Sequence, residues 1–124
     1  MYSREQLIGQ WHRSDSNGAE NFSELAQLND DGSFTFTFYT YNLEGSVVDE
    51  ISELGMWGLV GDLHFTITEA EVENQQHFKA DMTDSDNYHA YRVLALSDDN
   101  FTYEHVVTGD KFTLFKVQAN ANKN

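Results

Sequence analysis

A chain of 124 residues has room for one domain and one core, and a domain of this size buries roughly two-thirds of its unfolded surface. It contains no cysteine, which rules out a disulfide frame, a thiolate nucleophile and any Cys-based metal centre. Twenty-one acidic side chains against seven Lys and Arg give a net charge of −14, which repels nucleic acid and anionic membranes and leaves either a basic partner or a simply solvated surface.

No apolar run approaches the roughly 20 residues that span a bilayer. No basic segment followed by an apolar stretch opens the chain. The expected location is cytoplasmic, or periplasmic if a signal peptide has been removed. Nothing in the residues specifies an oligomeric state.

Ser3-Arg4-Glu5-Gln6 has the form of a capping box, and Gly9 follows too soon for a second turn, so one short helical turn leads into a strand. Residues 21–29 alternate loosely and end at the turn cluster Asn29-Asp30-Asp31-Gly32. Ser33-Phe34-Thr35-Phe36-Thr37-Phe38 is the cleanest strand signal, with three rings on one face and hydroxyls on the other. A connection at 42–46 precedes a weaker, edge-like stretch at 47–53, and then a segment at 54–60 containing Gly55, Trp57 and Gly58.

After the Gly61-Asp62 turn, Leu63, Phe65 and Ile67 alternate with His64, Thr66 and Thr68, which predicts a half-buried strand with the apolar residues inward. Glu69, Glu71 and Glu73 continue the same odd-numbered face, so the strand is expected to leave the core or to bulge near Ala70. The polar stretch 74–87 has space for a short strand around 77–80. Three strands close the chain at 88–96, 101–108 and 111–117, joined by short turns suited to hairpins.

These signals predict an all-β domain, an antiparallel up-and-down barrel of about eight strands over residues 1–118, with a frayed tail at 119–124. No segment is long enough for a crossover helix, so parallel pairing is excluded. Closure into a barrel removes the exposed edges of such a meander; a β-sandwich is the other architecture these signals allow.

Leu7-Ile8-Gly9-Gln10-Trp11, with its Gly-x-Trp pattern on a first strand, resembles the opening of the lipocalin-like families of the calycin superfamily. Gly55-x-Trp57, Gly61-Asp62-Leu63, the stretch Tyr91 to Ser97, Phe101-x-Tyr103 and Phe112-x-Leu114-x-Lys116-Val117, in that order, resemble small bacterial lipocalin-like domains. The resemblance implies that Gly9 and Trp11 close one end of the barrel, with a cationic side chain from the last strand over the Trp ring. Lys116 is the matching residue and Arg92 the alternative. It also implies a non-catalytic protein that encloses a small apolar or amphipathic ligand.

The candidate ligand-binding residues are Phe36, Phe38, Trp57, Phe65, Tyr91, Tyr103 and His105, on strands expected to line the interior away from Trp11. The same rings also suit a filled core, and Trp57 fits either role. A filled barrel would instead favour a protein-interaction or inhibitor domain using its acidic face and the connections at 14–20 and 81–87. The five histidines lack the i, i+2 and i, i+4 spacings of metal-binding pairs. No serine has an adjacent His and acid, and Glu104 and His105 point to opposite faces of one strand. No catalytic residue, metal or cofactor is therefore expected.

Overall fold

The computed structural model describes residues 2–17 and 20–117. The expected tail at 119–124 lies outside these residues. One helical turn, α1 (Arg4–Leu7), is followed by β1 (Gly9–Asn17), β2 (Glu20–Leu28), β3 (Ser33–Tyr41), β4 (Val47–Val60), β5 (Leu63–Glu73), β6 (Gln76–Lys79), β7 (Tyr88–Leu96), β8 (Asn100–His105) and β9 (Lys111–Lys116), with a 3-10 turn at Ser85–Asn87 before β7.

Each barrel strand pairs antiparallel with its neighbours, and β9 returns to β1 through Trp11 opposite Lys116. Eight strands thus close an antiparallel barrel, and β6 lies outside the ring. β5 is long enough to serve two partners on one edge, β7 along Leu63–Ile67 and β6 along Ala70–Glu73.

The stretch expected as a weak edge strand followed by a separate segment is one continuous strand, β4. It pairs with β3 along Val47–Met56 and with β5 along Ile51–Val60, so its middle is held on both sides. The connection expected at 14–20 is shorter than its polar residues suggested, because β1 continues to Asn17 and β2 begins at Glu20. The register of β4 against β5 shifts between Leu54 and Gly55, so Glu69 is skipped and Ala70 opposes Leu54. This is the bulge expected near Ala70.

One end of the barrel is packed shut. Trp11, Leu28, Phe34, Phe101 and Leu114 are buried there, and Leu7 from α1 covers them. The helical turn is anchored at both ends. Gln6 accepts from the backbone N–H of Ser3 at 2.7 Å, which is the reach-back half of a capping box, and the Trp11 indole donates to the Leu7 carbonyl at 2.9 Å. Arg4 reaches across the same end, 4.8 Å above the Trp57 ring, and donates to the Asp30 carbonyl at 2.7 Å.

The apolar residues of β5 do not face the core as their alternation predicts. His64, Thr66 and Thr68 are the buried set, and Leu63, Phe65 and Ile67 lie on the outer face. Pairing fixes this orientation: Trp57 on β4 and Tyr91 on β7 face the interior, and they oppose Thr66 and His64 respectively. Phe65 instead opposes Gly58, where a β-carbon would sit 2.2 Å from the ring tip. The ring thus covers the glycine from outside, as aromatic residues do beside strand glycines.

Candidate functional site

Above the Trp11–Phe101 layer the interior changes from apolar to polar. Inward positions of β1, β2 and β4 carry Arg13, Glu24 and Glu53, and those of β5 and β7 carry His64, Thr66, His89 and Tyr91. Together with Phe36, Phe38, Tyr103 and Phe112 they enclose a partly open cavity of about 200 Å³, the space of roughly six or seven liquid waters.

Arg13 and Glu24 form the main ion pair of this interior. The guanidinium Nε donates to Glu24 Oε1 at 2.7 Å, with the Glu24 side chain 8% and Arg13 22% exposed. Phe22 and Phe112 each lie 5.1 Å from the guanidinium carbon, so the cation is held between two rings as well as by its carboxylate. Burial still pushes the Glu24 carboxyl above its usual range, against the lowering effect of Arg13.

Glu53 lacks such a partner. Its one hydrogen bond among the described residues comes from Thr68 Oγ1 at 3.5 Å, and directly opposite it on β5 stands Glu71. Burial first, then Glu71 and Glu24, raise its carboxyl. Like charges directly opposite each other on neighbouring strands are destabilising.

Tyr91 and Tyr103 pack edge to face with centroids 4.9 Å apart. Burial is the main cause raising both phenols, that of Tyr91 to about 12. Tyr103 is 9% exposed, and no residue in the described structure hydrogen-bonds its hydroxyl. His64, 3% exposed, stacks on Tyr91 and meets Phe101 and Tyr103 edge-on. Its Nδ1 is 3.4 Å from the Gly58 carbonyl, and burial lowers the imidazole to about 4. It is a neutral ring at ordinary pH.

At the upper rim, His105 Nδ1 accepts from the backbone N–H groups of Val107 and Thr108 at 3.1 and 3.3 Å. In the neutral ring this assigns the proton to Nε2, which donates to His89 Nδ1 at 3.1 Å. His89 is then left with Nε2–H as a donor on the cavity wall.

Of the residues singled out from sequence, Phe36, Phe38, Tyr91 and Tyr103 line the cavity. Trp57 does not. It is 4% exposed at the closed end, where its indole donates to the Asn29 carbonyl at 2.9 Å. Phe65 is on the outer face, for the pairing reason given above. His105 does not line this cavity either, and reaches it only through its hydrogen bond to His89 at 3.1 Å. Gly9, Trp11 and Lys116 come together at the closed end, with the Lys116 ammonium 4.5 Å from the Trp11 ring centroid. Arg92, the alternative, instead pairs with Asp62 at 3.1 Å on the surface.

Sequence reading missed the polar half of the cavity: Arg13, Glu24, Glu53, His64, Thr66 and His89. The one available signal was period two from an established inward residue. Counting two places on from Trp11 reaches Arg13.

Among the described residues no group of three His, Asp or Glu side chains converges as a metal site requires, and no helix is long and apolar enough to cross a membrane. No protein-family model matches the chain, and no curated protein matches it.

Proposed function

We propose that this protein is a non-catalytic binding protein that encloses a small apolar or amphipathic molecule inside its barrel. The observation that carries the reading is the cavity itself. An eight-stranded barrel can be entirely filled by its own side chains or hold one small ligand, and here the packed layer stops at Trp11 and Phe101 while the upper interior retains about 200 Å³. Aromatic walls with a few convergent polar groups are the usual lining of a ligand site. The resemblance of the Gly9-x-Trp11 opening to lipocalin-like proteins supports the same reading.

The volume limits the ligand. Sites for drug-sized molecules occupy roughly 300–1,000 Å³, so a compound with a single ring suits this cavity better than a long-chain lipid. Native mass spectrometry of protein purified from its own host, with thermal-shift titration against small aromatic and amphipathic compounds, tests the proposal. A co-purified small molecule, or a melting point that rises with ligand concentration, is expected. Failure of every such compound to bind would overturn it.

A further inference from the structure

We infer that the ligand of this cavity is a small organic cation, a protonated amine on an apolar body, with Glu53 as its counter-ion and the Tyr103 hydroxyl as a second polar contact. The inference rests on the proposed binding function and specifies the chemistry of its ligand.

Three observations carry it. The first is a charge imbalance. Glu24 is matched by Arg13 at 2.7 Å, whereas Glu53 has no cation within ion-pair distance among the described residues and faces Glu71 across the β4–β5 ladder. Two carboxylates placed opposite each other weaken a sheet. A departure of this kind from local stability rules is expected where a site is built for something else. A bound ammonium would offset the repulsion and meet the partly desolvated carboxylate.

The second is the Tyr103 hydroxyl. It belongs to a residue more than nine-tenths buried on the cavity wall, yet it has no hydrogen-bond partner among the described residues. No fully buried side-chain N or O atom among the described residues lacks a partner, so this oxygen is reachable from the cavity, where a ligand's polar group can pair with it.

The third is the wall. Phe36 stands directly across from Glu53 in the β3–β4 pairing, and the Tyr91 ring lines the same cavity as Glu53. Aromatic faces attract ammonium groups, more strongly when water is excluded. An anionic ligand would meet Glu24 and Glu53 with Arg13 already engaged. A neutral one would leave the carboxylate pair unrelieved.

The test compares three probes that share a phenylethyl body, 2-phenylethylammonium, 2-phenylethanol and 3-phenylpropanoate, by isothermal titration calorimetry on the intact chain. The ammonium should bind about tenfold or more tightly than the alcohol, and the propanoate should not bind measurably. Glu53→Gln should remove the preference while leaving alcohol binding in place. Tyr103→Phe should weaken the ammonium by several-fold.

Because burial raises the carboxyls of Glu53 and Glu24, both take up protons as pH falls, and ammonium affinity should fall with them, whereas alcohol affinity should not. Equal binding of ammonium and alcohol, or a preference that survives Glu53→Gln, would overturn the cation inference and leave the binding function standing. If neither ammonium nor alcohol bound to correctly folded protein, both would fall.

Discussion

The Lys116 ammonium stands 4.5 Å from the centroid of the Trp11 ring and donates to the Ile8 carbonyl at 2.9 Å. One side chain thereby joins the last strand to the first strand and to the end of α1. Gly9 makes the path available. Its φ of +133° suits only glycine, and a β-carbon there would sit 2.7 Å from the Lys116 nitrogen.

Lys116→Met should keep most of the packing but lose the cation–π contact and the carbonyl partner, a destabilisation of about 1–2 kcal/mol. Gly9→Ala imposes a strained backbone and displaces the ammonium, and should cost of order 1–3 kcal/mol. Because the two changes act on one contact, the double variant should lose less than the sum of the single losses. Urea denaturation of the four proteins measures this coupling.

Trp11 is fully buried and its indole is satisfied by Leu7. Trp11→Ala should lose roughly 3–5 kcal/mol, and variants that remain folded should still bind ligand, because the ring is separated from the cavity by Phe101 and His64. Loss of binding without loss of stability would place the site at the wrong end of the barrel.

The Arg13–Glu24 pair should behave as a unit. Removing only the cation with Arg13→Met leaves a buried carboxylate without its partner, and should destabilise by about 3 kcal/mol. Arg13→Met combined with Glu24→Leu removes both charges, and should recover much of that loss. Thermal unfolding of the single and double variants at pH 7 distinguishes a structural pair from two independent residues.

The legible parts of this fold were those where one face is apolar and the other polar in the ordinary sense. Phe34, Phe36 and Phe38 face the interior as their alternation with threonine implies, and the Gly9, Trp11 and Lys116 assembly follows from the pattern they resemble. β5 was misread because both its faces are partly covered, and its polar face is the inner one. Only the pairing of Thr66 with Trp57 and of His64 with Tyr91 reveals this. The polar half of the site was hidden for the same reason. Arg13, Glu24 and Glu53 look like surface charges in an acidic chain, and nothing short of the register shows that they converge.

His64 predicts a pH dependence of stability. Its folded value is lowered from 6.5 to about 4 by burial, so between these values the unfolded chain binds the proton more readily. The contribution to stability is unaffected above about pH 6.5 and becomes increasingly unfavourable as pH falls towards 4. His64→Phe removes this term. The difference in unfolding free energy between variant and parent should therefore shift in favour of the variant by about 3 kcal/mol across that window. Urea titrations at pH 7.5, 5.5 and 4 read the slope, and a constant difference would mean that the ring is hydrated or charged in the folded protein.

Glu53 predicts the opposite sign. Its carboxyl is raised in the folded state by burial and by Glu71 and Glu24, so the folded protein holds the proton more tightly than the unfolded chain. Above the raised value the ionised group carries its full penalty, and the penalty fades as pH falls through that value towards 4.5. Glu53→Gln keeps the shape and the contact with Thr68 but cannot ionise. In the absence of ligand it should therefore be more stable than the parent at pH 8, with the advantage shrinking as the solution is acidified. Glu71→Gln should give a smaller gain of the same kind, because it removes only the neighbour's repulsion. A parent protein that matches Glu53→Gln in stability at pH 8 would show that water relieves this carboxylate pair, and that no stability is given up to hold it at the cavity.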